Sequence, residues 1–314
     1  MSSIGRVTSG QLYVNAQSSM AQVKSRLAVL QQQATDGLAI TKPSDDPAGT
    51  AQVLRLHGDI ATNGQYKTNI DDGLSWLGTI DTALGHADDD VRTAKDQVIQ
   101  ASNLATSTPI SREAAAKALE GIKADLLTQA NTKYLGRSVF AGTSDAAQAF
   151  AADGTFNGAV TSGDGSVQRR ISATETVTVS ASGAAAFGTK GTGGAQGTSV
   201  FETLDRIIGA LRDPAFATDA TVQAKVTNGI DDLEDARTAL SGQRGIEGAN
   251  YSRITAAKSA NTDLATNLEK QRSSIEDVDT AKVILDLKTQ ELAYQTSLAV
   301  TAQVLQPTLM SFLQ

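Results

Sequence analysis

The sequence predicts a mainly α-helical protein in which both chain ends form a long antiparallel helical bundle or coiled coil, with a small β-rich inserted domain. Apolar residues recur at intervals of three, four and seven at both ends of the 314-residue chain, which is the spacing of one helix face. The last 23 residues, Leu292 to Gln314, carry no charged side chain, which indicates burial in protein. Between Gly142 and Gly197 there are 11 glycines, a density typical of turns between short strands.

The N-terminal helix is predicted from an unbroken alternation of three- and four-residue steps, the pattern of a coiled-coil interface. The residues on these steps are called the N-terminal seam and are Tyr13, Ala16, Met20, Val23, Leu27, Leu30 and Ala34. From the first to the last of them such a helix is about 32 Å long, at roughly 1.5 Å per residue. A second helix can therefore pack against it in several layers.

The C-terminal helix carries a broad apolar face that needs a partner, because an exposed chain end is normally polar. This face is called the C-terminal seam and consists of Ile284, Leu285, Leu292, Leu298, Ala299, Ala302, Leu305, Leu309 and Phe312. The N-terminal helix is the predicted partner. We therefore expect the two chain ends to lie side by side.

A second long helix is predicted to begin within the segment Pro43, Ser44, Asp45, Asp46 and Pro47. Asp46 suits the N-cap and Pro47 the first helical position, and the acidic pair is favoured at the positive end of the helix dipole. The core face of this helix is marked at every seventh residue by Leu56, Ile70, Leu77, Leu84, Val91, Val98 and Ala105. Asn63 falls in the same series and is its one polar member.

The remainder of the chain gives a third helix, the β-rich insert and further helices. Pro109 starts a helix predicted to reach about Tyr134, and two short alternating stretches near residues 170 and 178 predict strands. Helical spacing returns at Val200. Three domains follow from this order: a terminal coiled coil (1–42 with 275–314), a helical rod (43–142 with 200–274) and a small surface insert (143–199).

Composition and motifs argue against several function classes. A net charge of −7 without a basic stripe excludes nucleic acid as the expected partner. Polar residues interrupt the uncharged tail before it could span a membrane, and no signal peptide is visible. The two histidines, His57 and His86, lack partners at metal-ligand spacing. Gly183–Gly188 has the glycine spacing of a phosphate loop, but Thr189 stands at the position directly after it where the motif needs Lys, so we interpret this segment as a turn. We expect no enzyme activity, cofactor or metal.

Three segments resemble those of the bacterial flagellin superfamily. Ala34–Ile40 (ATDGLAI) followed by Pro43–Pro47 (PSDDP) is similar to its N-terminal signature. Asn131–Thr143 (NTKYLGRSVFAGT) resembles the corresponding segment of the branch that joins the hook to the filament. Arg244–Ile254 resembles a helical segment of the family but carries extra glycines, which indicate either a kink or a close helix contact.

The resemblance implies a structural role in the flagellum. It implies lateral copies of the chain in a tubular lattice, with the preceding hook-associated protein and flagellin as neighbours. It also implies extracellular location, type III export without a cleaved signal, and a cytoplasmic chaperone that holds the C-terminal helix. Filament flagellin and a generic intracellular coiled-coil protein are the alternatives. A filament protein would form long polymers by itself.

Overall fold

The computed structural model describes residues 9–103, 108–159, 165–190 and 199–305. These ranges form seven α-helices, one short 3-10 helix (Pro214–Ala217) and four short strands. In chain order they are α1 (Ser9–Asp36), α2 (Pro47–Ser102), α3 (Pro109–Ala130), β1 (Lys133–Tyr134), β2 (Arg137–Ser138), β3 (Gln168–Arg170), β4 (Thr176–Thr178), α4 (Gly183–Phe187), α5 (Val200–Arg212), α6 (Ala220–Glu276) and α7 (Thr280–Leu305). The predicted fold class, mainly α with a small β region, is confirmed.

The chain divides into two compact units. The terminal unit comprises the chain up to Thr62 together with the chain from Leu264 onward, and the central unit is Asn63–Asp263. The domain limits expected from the sequence, near residues 43, 143, 200 and 275, stay predictions.

In the central unit, α2 and α6 run antiparallel and share a heptad pattern. The buried residues recur every seven positions on both helices: Asn63, Ile70, Leu77, Leu84, Val91 and Val98 on α2, and Val226, Leu233, Leu240, Glu247, Ile254 and Asn261 on α6. Ion pairs flank this interface, with Arg244 3.0 Å from Asp81 and Lys95 2.8 Å from Glu234. Spacing of seven with charged flanks is the arrangement of a coiled coil.

Helix α3 packs against α5 and is shorter than the sequence suggests. It begins at a capping box between Thr108 and Ser111 and ends at Ala130 rather than near Tyr134. The side chain of Asn131 stops it, because its amide donates to the Phe150 carbonyl and accepts from the Phe150 N–H, both at 2.9 Å. The chain is thereby diverted into the β1–β2 hairpin.

The segment expected to be a surface insert belongs to the core of the central unit. Phe150 and Phe187 are fully buried, and both contact the Phe201 ring, at centroid distances of 5.3 and 6.1 Å. Phe187 also meets Phe140 edge to face at 5.3 Å. Strands β3 and β4 lie in the two stretches where the alternation predicts strands, and they pair in antiparallel fashion. Gly183–Gly188 contains the short helix α4, capped by Ser182, rather than a turn. The composition indicated turns, but it did not show that four aromatic rings meet there.

Helix α6 is continuous through Gly242, Gly245 and Gly248. Apart from their chain neighbours and the adjoining backbone of α6, no atom of the described residues lies within 4 Å of a Cβ added at any of the three, so a close helix contact within this part of the chain does not explain them.

Candidate assembly interface

In the terminal unit, the segment that connects α1 to α2 is hydrogen-bonded to the segment that connects α6 to α7. Gly37 ends α1 with a positive φ of 72°, a conformation that glycine adopts without strain. Ala39 N–H then donates to the Glu276 carbonyl at 2.7 Å, and Val278 N–H donates to the Gly37 carbonyl at 3.1 Å. These two bonds fix the α1–α2 connector to the α6–α7 connector.

The segment Pro43–Pro47 starts α2 through its two aspartates. Asp45 Oδ2 accepts from the Thr41 hydroxyl and the Lys42 N–H, both at 3.0 Å. Asp46 Oδ1 accepts from the backbone N–H groups of Ala48 and Gly49 at 3.1 and 2.9 Å, which otherwise lack partners at a helix start. Pro47 occupies the first helical position and Ser44 is exposed.

Helix α1 presents the N-terminal seam toward α7. Ala16, Met20, Val23, Leu27 and Leu30 are half-buried, whereas the residues between them are exposed. The series then continues at Gln33 rather than at Ala34, which is exposed. The Gln33 amide donates to the Ala39 carbonyl at 3.0 Å and so closes this end of the seam. The Tyr13 side chain lies outside the described part of the chain.

Helix α7 packs on α1 through a face that the sequence analysis did not select. Less exposed residues recur in steps of four and three at Val283, Leu287, Gln290, Tyr294, Ser297 and Thr301, with Glu291 and Ala293 half-buried beside them. The Gln290 amide donates to the Val23 carbonyl at 3.1 Å. The hydroxyls of Ser297 and Thr301 donate to carbonyls of their own helix at 2.8 and 2.7 Å, so polar residues are tolerated at this contact.

The C-terminal seam lies on the opposite side. Ile284, Leu285, Leu292, Leu298, Ala299 and Ala302 are exposed, so the expectation that this face covers α1 is wrong. At about 100° per residue, Leu285, Leu292 and Ala299 lie nearly half a turn from the packed face, and Ile284 and Ala302 lie a little over a quarter turn from it. The Leu305 side chain, Leu309 and Phe312 lie outside the described residues. Helices α1 and α7 do lie side by side, but within the described residues the apolar face of α7 is uncovered.

Comparison with known proteins shows which protein family the chain belongs to. The bacterial flagellin N-terminal helical region matches residues 7–145, and the C-terminal helical region matches residues 230–313, together more than half of the chain. The chain belongs to the bacterial flagellin family. It is therefore a member of a family of structural flagellar proteins.

Individual relatives carry more specific names. The chain is 26% identical over 312 residues to flagellar hook-associated protein 3 of Salmonella typhimurium, covering 93% of this chain and 94% of that protein. Identity to a flagellin of Serratia marcescens is 28% over 102 residues, covering 32% of this chain and 29% of that protein.

Solved structures share the fold. The flagellar junction protein FlgL of Legionella pneumophila matches 72% of this chain and 99% of its own, with a TM-score of 0.57 and 16% identity. FlgL of Xanthomonas campestris matches 70% of this chain and 99% of its own, with a TM-score of 0.56 and 19% identity.

The described residues were also compared with the side-chain groups that hold metal ions and with membrane-spanning helices. No cluster of three or more His, Asp or Glu side chains suited to a metal ion occurs among the described residues. Within the same ranges, no helix combines the length and apolarity that crossing a membrane requires.

Proposed function

We propose that this chain is the hook-filament junction protein of a bacterial flagellum, a structural and non-enzymatic role. The observation that carries the proposal is the near full-length match to flagellar hook-associated protein 3, against a match to flagellin over about a third of the chain. Family membership alone would fit either role.

The uncovered C-terminal seam supports assembly as the mechanism. Ile284, Leu285 and Leu292 are 55%, 67% and 65% exposed in the single chain. Burying a fully exposed large aliphatic side chain contributes about 1.5–3 kcal/mol, and a third or more of each of these is already covered, so completing their burial could add roughly 3–6 kcal/mol as an upper estimate. Contact with neighbouring subunits would supply that burial, and would offset the entropy lost when the terminal helices become fixed.

The proposed neighbours follow from the role. Lateral copies of the chain form one ring of a tubular lattice, the preceding hook-associated protein lies on the hook side, and flagellin lies on the filament side. Before assembly a cytoplasmic chaperone covers the C-terminal helix, and the flagellar type III system exports the chain without a cleaved signal. Nucleic acid and membrane are not among the proposed partners.

Imaging a labelled copy in the bacterium that encodes the chain tests the role. A cysteine placed at an exposed site of the central unit, such as Thr174, allows maleimide labelling in a chain that has no cysteine of its own. We expect one focus at the base of each filament, and loss of attached filaments with intact hooks when the gene is deleted. Labelling along the whole filament would contradict the junction role and establish filament flagellin instead.

A further inference from the structure

The α2–α6 coiled coil contains two polar layers of different kinds. Asn63 lies opposite Asn261, and the ion pair between Asp81 and Arg244 gives the same antiparallel register. Moving seven residues along each helix from the asparagines brings Ile70 opposite Ile254. A further seven residues brings Leu77 opposite Glu247, and both of these line the same cavity of about 350 Å³.

In the asparagine layer, each of the two helices contributes a polar side chain, and the two residues hydrogen-bond to each other. The Asn63 amide donates to the Asn261 carbonyl at 3.1 Å, and the Asn261 amide donates to the Asn63 side-chain oxygen at 2.6 Å. Two buried polar groups that satisfy each other fix the register of a coiled coil at modest cost.

The Glu247 layer is unmatched. Glu247 is only 3% exposed and faces an aliphatic side chain instead of a polar partner. Its Oε1 accepts from the Gln243 amide at 2.9 Å, and the Asn250 side chain also hydrogen-bonds to its carboxyl. Oε2 has no hydrogen-bond partner. A buried carboxylate in this position would carry a charge without a counter-ion.

The groups around Glu247 do not neutralise that charge. From α2, Asp81 is the ionisable residue beside the smaller cavity, and it is paired with Arg244. On α6 itself, Tyr251 lines the same cavity. On the other side, a cavity of about 550 Å³ is lined toward β3 and β4 by neutral side chains such as Gln168, Thr178 and Ser180.

Burial accordingly raises the pKa of Glu247 to about 7, and the hydrogen bonds from Gln243 and Asn250 offset only part of that rise. The carboxyl therefore changes its protonation state near neutral pH. Both cavities adjoin it, so water can reach the site when the packing loosens.

The same stretch of α6 is intrinsically weak. Gly242, Gly245 and Gly248 surround Glu247 on the helix, and no side chain of the structure comes within 4 Å of the position where their Cβ atoms would be. Glycine is less favourable than alanine in a helix interior, because its backbone loses more conformational freedom. Local opening is therefore easier here than elsewhere along the helix.

We propose that Glu247 is a pH-sensitive release in the coiled coil of the central unit: the neutral carboxyl keeps the Leu77–Glu247 layer closed, and its ionisation opens α6 between residues 242 and 251. This device goes beyond the junction role and does not depend on it. Opening exposes the α6 face that carries Gln243 and Asn250 and separates it from β3 and β4.

Hydrogen exchange by mass spectrometry at pH 5 and pH 8, corrected for the intrinsic rates, tests the proposal on the full chain. The folded pKa of Glu247 lies above its unfolded value, so the stabilising contribution of the neutral carboxyl is complete below about pH 4.5 and is lost as the pH rises through about 7. We expect the opening constant of amides 243–251 to increase at least tenfold from pH 5 to pH 8. The variant Glu247→Gln should show little change.

Asp235→Asn is the matched control, because it removes a carboxylate charge from an exposed position of the same helix, outside the ion pairs that flank the α2–α6 interface. It should keep the wild-type pH response. Equal opening of the wild type at both pH values, or an unchanged response in Glu247→Gln, would overturn the proposal. If Glu247→Gln does not fold, a carbon-13 titration of the wild-type Glu247 carboxyl decides: a midpoint near 7 supports the device and one near 4.5 refutes it.

Discussion

At the scale of residues, the pair Asn63 and Asn261 shows that the role of a buried polar residue in a heptad can be recognised only when its partner on the other helix is known. The sequence identifies Asn63, because it interrupts an apolar series on α2. Asn261 and Glu247 lie in a helix with a weaker apolar pattern, so their heptad positions become visible only when the register between α2 and α6 is known. A one-dimensional pattern does not carry that register.

Replacing one asparagine should cost more than replacing both. Asn63→Leu removes the side-chain acceptor of the Asn261 amide and leaves it only the Asn63 backbone carbonyl at 3.1 Å. Losing a partner of a buried polar group costs about 1–3 kcal/mol, whereas the double change to leucine removes both polar side chains and should be nearly neutral. Urea unfolding of the single and double variants at pH 6 measures the coupling between them. Additive losses in the double variant would show that the two amides do not stabilise each other.

At the scale of elements, α7 illustrates what helical spacing cannot resolve. The sequence correctly indicates a helix near each chain end. Helix α7, however, has two faces that each carry enough apolar residues to pack on another helix. The face with more large aliphatic residues stays exposed, and a mixed face with Gln290, Ser297 and Thr301 packs on α1. Hydroxyls that bond within their own helix make the second face less polar in practice than its composition suggests.

The two faces of α7 should respond differently to an introduced carboxylate. Leu292→Asp alters the exposed face, so thermal melting of the single chain should change little while assembly and filament attachment are lost. Leu287→Asp alters the half-buried face and should destabilise the α1–α7 pair by a few kcal/mol.

Circular dichroism of the purified variants, with counts of attached filaments, separates these effects. A large loss of melting temperature in Leu292→Asp would mean that its side chain already packs in the single chain. Normal filaments with Leu292→Asp would remove this face from the assembly interface.

At the scale of the whole molecule, the central unit depends on the segment that the sequence marks as an insert. The short strands in this segment were correctly predicted, because they follow from the local pattern of residues. The burial of Phe150 and Phe187 against Phe201 was not, because it depends on contacts between residues far apart in the chain. A turn-rich segment can therefore belong to a core.

Deleting residues 147–194 should consequently unfold the central unit. Loss of a single buried phenylalanine costs about 3–5 kcal/mol, and this deletion removes two together with strands β3 and β4. The sum approaches the entire stability of a typical domain. We expect the cooperative melting transition to disappear in calorimetry. A deletion protein that still melts cooperatively near the wild-type temperature would show that the segment is a dispensable surface feature.

The α1–α7 and α2–α6 interfaces also differ in how they resist shear along the helix axes. In α2–α6, sliding by one turn would break the asparagine layer and several ion pairs at once. Among the described residues, α1 and α7 are joined by a single side-chain hydrogen bond, from Gln290 to Val23, beside half-buried contacts of modest size. Under torque the terminal helices should therefore slip first, while the central coiled coil stays stiff and transmits the load.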